Sequence, residues 1–247
     1  MKWTGWQVRL GIILVLCSAA IYMAKFLILG DPENTYYYIF NALGFLPVNI
    51  LLVTLVLNEL LSMRSKKERL EKINMVIGTF FSEAGTHLLT LISDCDPDLK
   101  RVKSFFLVRN DWDNEEFSRV SRNLKEYDYT IDVGKVDLVQ LRTFLMSRRD
   151  FMVRLLENPV ILEHQSFTGL LQAVFHLAEE LERRRELNNL PVADREHLAG
   201  DINRVYRLIS GEWLSYMKYL KNNYPYLFSL AIRTNPFDEN ASAVIKS

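Results

Sequence analysis

Cysteine and glycine are both scarce in this chain, and each shortage removes a class of function. Two cysteines, Cys17 and Cys95, stand among 247 residues, too few for a disulfide framework or for a zinc site of ordinary cysteine spacing. The ten glycines do not cluster. There is accordingly no Gly-rich phosphate loop ending in Gly-Lys-Ser/Thr, no Gly-x-Gly-x-x-Gly turn and no Gly-x-Ser-x-Gly elbow. No enzyme chemistry is expected, and no cofactor is implied. Net charge is missing as well, since 30 Lys plus Arg balance 30 Asp plus Glu. Residues 1–61 hold three of each sign, so the remainder is also neutral. A neutral soluble part argues against generic nucleic-acid binding through a broad basic face. Finally, no alternating run of strand length stands out, and the expected fold class is all-α.

Long hydrophobic runs, by contrast, are present twice. Residues 10–29 carry one charge, Lys25, and residues 39–57 carry none. At about 1.5 Å per helical residue, either run is long enough for a hydrocarbon core of about 30 Å. The first run continues past the small residues Ser18, Ala19 and Ala20 to Leu29, so it reads as a retained span and not a cleaved signal peptide. The connector holds Asp31 and Glu33, whereas Arg64, Lys66, Lys67, Arg69 and Lys72 follow the second run and Lys2 and Arg9 precede the first. The positive-inside rule places both termini in the cytoplasm, with Trp3, Trp6 and Tyr36 to Tyr38 at the interfaces. The lipid bilayer is the first expected partner.

The second run carries Asn41, Gly44, Pro47 and Asn49. Proline in a helix removes one hydrogen bond, and asparagine in lipid needs a partner. Two readings follow: interhelical contacts with a kink, or the polar lining and hinge of a pore built from several copies.

Beyond the runs, strong helix formers extend to residue 92 without proline. Met63, Leu70, Ile73, Ile77, Phe80, Ala84, His87 and Leu91 fall on three- and four-residue steps, with Lys66 filling the step between the first two, a heptad-like stripe. It packs either on later helices of the same chain or, as a seam through Leu70, Ile73, Ile77, Phe80 and Ala84, between copies of a homo-oligomer. The expected organisation is a two-helix transmembrane hairpin over 1–62, a long membrane-to-cytoplasm helix over 63–93, and a cytoplasmic helical domain over 94–247. Within the last, Asp137 caps a helix running to Asn158, Ser166 caps another ending before Pro191, and a long helix covers 193–223. The tail after Pro236 is expected to fray.

The strings NMVIGTFFSEAGTHLL (74–89), FHLAEELERRREL (175–187), EHLAGDINRVYRLISGEWL (196–214) and YPYLFSLAIRTNPF (224–237) resemble those of a family of uncharacterised two-span bacterial inner-membrane proteins. The resemblance implies that location and no catalytic residues. In layout the chain is also similar to two-span ion-channel effectors of bacterial antiphage systems, whose cytoplasmic domain senses a nucleotide or oligonucleotide messenger. On that pattern the chain is an oligomeric pore controlled by its helical domain; the alternative is a membrane-anchored scaffold that docks a protein partner.

Two constellations bear on ligands. His176 and Glu180 are four apart, as are His197 and Asp201. A four-residue step puts each pair on one helical face, and facing helices would gather all four around zinc or iron or into structural pairs. Arg148, Arg149 and Arg154, and Arg183, Arg184 and Arg185, are the densest basic patches, suited to phosphate or to a salt-bridged surface.

Overall fold

The computed structural model describes residues 5–29, 32–235, 237–238 and 240–244. Lys2, Trp3 and Asp31, used above for orientation, lie outside them. Contacts divide the chain into two compact units, Met1–Lys66 and Lys67–Ser247. Among the described residues all regular structure is helical.

The first unit contains α1 (Gly5–Leu29) and most of α2 (Pro32–Phe80). Large apolar side chains line α2 in the open, among them Phe40, Leu43, Leu51, Val53 and Leu57. Among the described residues α2 with its continuation is the one helix long and apolar enough to cross a membrane, and the apolar stretch of α1, Ile12–Ile28, is shorter. The Lys25 ammonium sits 3.9 Å from the centroid of the Tyr38 ring, a cation–π contact that gives the lone charge of the first run a partner.

The second unit begins with the last turns of α2. These pass into a π-turn, Phe81–Gly85, and on into α3 (Thr86–Ser93). The π-turn admits one extra residue and rotates the faces that follow it. The buried stripe therefore runs Ile73, Ile77, Phe80, Phe81, Ala84 and then Leu88, Leu89 and Ile92, while His87 faces out. This corrects the expected oligomer seam: Ile73, Ile77, Phe80 and Ala84 are spent in the core of their own chain, and only Leu70 stays exposed. It also moves the domain boundary, because residues 73–92 belong to the core and do not form a separate coiled-coil-like segment.

The remaining helices are α4 (Leu99–Phe106), α5 (Asn114–Glu126), α6 (Leu138–Ser147), α7 (Arg149–Leu156), α8 (Pro159–Leu162), α9 (Gln165–Arg183), α10 (Val192–Asn223) and α11 (Pro225–Arg233). Helix α10 is central, contacting α3, α5, α9 and α11, while α6, α7 and α8 pack on α9. The Asp137 carboxylate caps α6 by accepting from the Gln140 amide at 2.8 Å, as its residue type favours. The expected helix to Asn158 is interrupted at Arg148, where the Ser147 hydroxyl bonds back to the Phe144 carbonyl at 2.6 Å and competes with the helical ladder. His164, not Ser166, is the N-cap of α9, its Nδ1 accepting from the Phe167 amide at 3.3 Å. Residues 236, 239 and 245–247 of the tail lie outside the described residues, and the described part is pinned at Phe237. Phe237 stacks on Phe106 and meets Trp213 edge-on, and the Asn235 amide donates to the Phe106 carbonyl at 2.6 Å.

Candidate functional site

The polar face shared by α9 and α10 is the candidate site. On α9, Leu170, Leu171, Val174, Leu177, Ala178 and Leu181 are buried, which turns His176 and Glu180 toward the edge of the helix. On α10, Leu198, Ile202 and Val205 do the same for His197. The two helices pack against each other and the four residues converge. Nε2 of His176 and Nε2 of His197 each lie 3.4 Å from Oδ2 of Asp201, and His197 Nε2 lies 3.6 Å from Oε2 of Glu180. Ligand atoms of His176, Glu180 and His197 all fall within 4.8 Å of one another.

Asp201 is the unusual member. It is 5% exposed, and its Oδ2 makes no hydrogen bond. A buried carboxylate oxygen without a donor is costly to desolvate. Its other oxygen faces Arg204 NH1 at 3.7 Å. The imidazoles are accessible, with side chains 44% exposed at His176 and 53% at His197, and Glu180 lies between the extremes.

A second layer fixes Glu180. Helix α9 stops at Arg183, short of the expected end near Pro191, because Arg184 turns into extended backbone (φ −88°, ψ 122°) and folds back. Its NH1 donates to Glu180 Oε2 at 2.6 Å, while Nε and NH2 grip both oxygens of Asp194 at 2.8 and 2.6 Å. The Arg184 hydrogen bond holds the Glu180 carboxyl below the usual carboxylate range, and it does the same for Asp194. The pair with Asp194 in turn holds the guanidinium charged, a bidentate geometry that lysine lacks.

The structure brings together the four residues that the sequence spacing singled out, and adds Arg184, Asp194 and Arg204, which spacing did not. Their signal was weak because the partners of Arg184 depend on where α9 stops. As a phosphate ligand Arg184 is already committed to two carboxylates, and Arg148 pairs with Glu83 at 3.6 Å. Arg149, Arg154, Arg183 and Arg185 are exposed. Asn41, Gly44, Pro47 and Asn49 are exposed on α2, which remains helical through Pro47. The other two histidines have structural duties: His164 caps α9, and His87 meets the Phe144 ring edge-on at 4.7 Å.

A buried polar knot also went unseen in the sequence. The Tyr127 hydroxyl donates to the Asp96 carboxylate, 3.0 and 2.9 Å from its two oxygens, and the Tyr129 ring stands edge-on to both Tyr127 and Tyr206. No spacing rule links Asp96 to Tyr127 or Tyr206. The aromatic stretch 213–226 divides: Trp213 is core, while Tyr216, Tyr219, Tyr224 and Tyr226 line a cleft of about 540 Å³ beside Met75 and Gly78.

Compared with known proteins, residues 2–61 match the family model described as the N-terminal helical domain of MJ1433, and residues 69–233 match that of the uncharacterized protein MJ1433, C-terminal helical domain. The gap between the two matches falls at the boundary between the compact units. The chain is similar to the uncharacterized protein MJ1433 of Methanocaldococcus jannaschii, 43% identical over 237 residues, which cover 96% of this chain and 95% of the relative. No solved structure matches.

Proposed function

The chain belongs to the MJ1433 family, and from that premise we propose that it is a membrane-anchored interaction protein, with α1 and α2 as a two-span hairpin and the helical domain as a docking module on the cytoplasmic face. One observation carries the reading: the apolar run of α2 is exposed along its whole length, and an exposed apolar surface of that extent is stable only in lipid or against other apolar helices. The basic residues after the run give the orientation. The membrane is the plasma membrane, with both termini on its inner side.

Two measurements test this. The protein stays in the membrane pellet after alkaline carbonate extraction, and Asn34→Cys in a Cys17→Ser, Cys95→Ser background reacts with an impermeant maleimide from outside intact cells. Release by carbonate overturns the anchor, and labelling only after permeabilisation overturns the topology.

A second reading has its own support in the polar residues of the apolar run. Asn41, Gly44, Pro47 and Asn49 are more than an anchor needs. In this reading several hairpins surround an ion path, and the domain controls it in response to a nucleotide or oligonucleotide messenger. Conductance in planar bilayers that is lost in Asn41→Leu, Asn49→Leu protein favours the pore. Silent bilayers together with a specific partner recovered on the membrane-embedded full chain favour the docking module.

A further inference from the structure

We propose that His176, Glu180, His197 and Asp201 form a binding site for a first-row transition dication, with zinc the fitting ion. The site stands apart from the membrane reading, since all four residues lie on α9 and α10.

The distances are the first argument. A tetrahedral zinc with bonds of about 2.1 Å sets its ligand atoms about 3.4 Å apart. The separations here are 3.4, 3.4 and 3.6 Å. They are too long for good hydrogen bonds between imidazole and carboxylate, which close to about 2.7–2.9 Å when charge assists them. They match three of the six edges of a metal tetrahedron instead, and the ligand atoms of His176, Glu180 and His197 all lie within 4.8 Å of one another.

The second argument is Asp201. Its Oδ2 is buried, without a hydrogen bond, and faces two imidazole nitrogens at equal distance. A dication between these groups satisfies that oxygen, which the surrounding protein leaves bare. The third is the surrounding layer. Arg184 NH1 donates to Glu180 Oε2, the oxygen that faces His197, and is itself clamped by Asp194, an arrangement that fixes the orientation of a ligating carboxylate; Arg204 NH1 adds a positive charge 3.7 Å from Asp201 Oδ1.

The donor set then selects the ion. Two imidazoles with two carboxylates suit zinc and its first-row neighbours, whereas calcium and magnesium take all-oxygen shells. Asp201 Oδ2 reaches the two imidazoles, beside the three ligand atoms of His176, Glu180 and His197; with all four bound the tetrahedron is filled, which suits a structural or regulatory ion. The exposed imidazoles place the ion at the solvent edge, where it exchanges with the surroundings. It would staple α9 to α10, the central pairing of the domain.

The test uses the full chain in mild detergent after treatment with a chelator. Equilibrium dialysis against micromolar zinc, followed by elemental analysis, is expected to give one zinc per chain. Cobalt is expected to give the intense visible bands of a tetrahedral site. His176→Ala with His197→Ala should abolish both signals, and Glu180→Gln alone should weaken zinc binding at least about tenfold. Zinc should raise the melting temperature of the wild type and leave that of the double variant unmoved. Wild-type protein with no zinc above the buffer overturns the site. So does a double variant that retains its zinc. If the double variant melts low without metal, Glu180→Gln decides alone: unchanged affinity and unchanged cobalt bands overturn the proposal.

Discussion

Gly85 lies directly beneath the ring of Phe80: a Cβ placed on it would meet Phe80 Cε1 at 2.5 Å and Phe81 Cδ1 at 2.8 Å. Phe80 in turn stands edge-on to Phe167 of α9, so the π-turn, the glycine and the core are one arrangement. Gly85→Ala is expected to destabilise the domain by about 1–3 kcal/mol through overpacking, although alanine is the better helix former. A denaturant midpoint at or above that of the wild type would refute the role given to Gly85.

The position of the core on both sides of residue 94 gives a second expectation. A soluble fragment starting at Asp94 lacks Ile73, Ile77, Phe80, Phe81, Leu88, Leu89 and Ile92, all buried. Each such loss costs about 2–5 kcal/mol, and together they exceed the whole stability of an ordinary domain. The fragment 94–247 should aggregate or show no cooperative melt, whereas one starting at Lys67 should melt cooperatively. Circular dichroism distinguishes them.

Alkaline pH should unfold the domain through its tyrosines. Burial pushes Tyr129 from its ordinary 10.0 up to about 12, and burial raises Tyr127 and Tyr206 as well. A raised folded pKa means that the neutral phenol is favoured in the fold. The contribution is complete below about pH 10 and is lost as pH rises through about 12. For Tyr129 alone it amounts to about 2–3 kcal/mol. The melting temperature should hold to pH 9 and then fall, less steeply in Tyr129→Phe. Phenolate absorbance of folded protein that titrates as in free tyrosine would contradict this.

Cys95 should resist alkylation. Burial first, then Asp94 and Asp132, raise its thiol pKa, and its Sγ contacts the Leu91 and Lys135 carbonyls at 3.5 Å. In Cys17→Ser protein at pH 8, iodoacetamide should modify Cys95 at a rate that rises at least about tenfold on denaturation. Equal rates before and after would remove the claim.

Helix character and the order of the elements were legible because apolar period and cap residues act locally. The Asp137 cap and the long helix ending at Asn223 sit where the sequence put them. The stripe was legible up to Ala84 and then slipped by one residue. A π-turn is selected by the ring packing over Gly85, a tertiary cause that no window of sequence displays. The site was half legible for the same reason. One-turn spacing marks the faces carrying His176, Glu180, His197 and Asp201, but Arg184 reaches Glu180 only because its backbone leaves the helix. Phe237 was misjudged because tails are polar on average, while this one ends on an aromatic that fits between Phe106 and Trp213.

The bond from the Asn235 amide to the Phe106 carbonyl spans 129 residues, and this has a consequence for how the protein is born. Ribosomes add roughly 5–20 residues per second, so Phe106 waits on the order of ten seconds for the group that closes over it. At the start of that interval Phe80 and Phe81 still lack Phe167 and Tyr216, the rings they later meet, while the apolar run ahead of them is already made. The early part of this domain is therefore made with its apolar face uncovered, and slower translation through residues 107–235 lengthens that exposure.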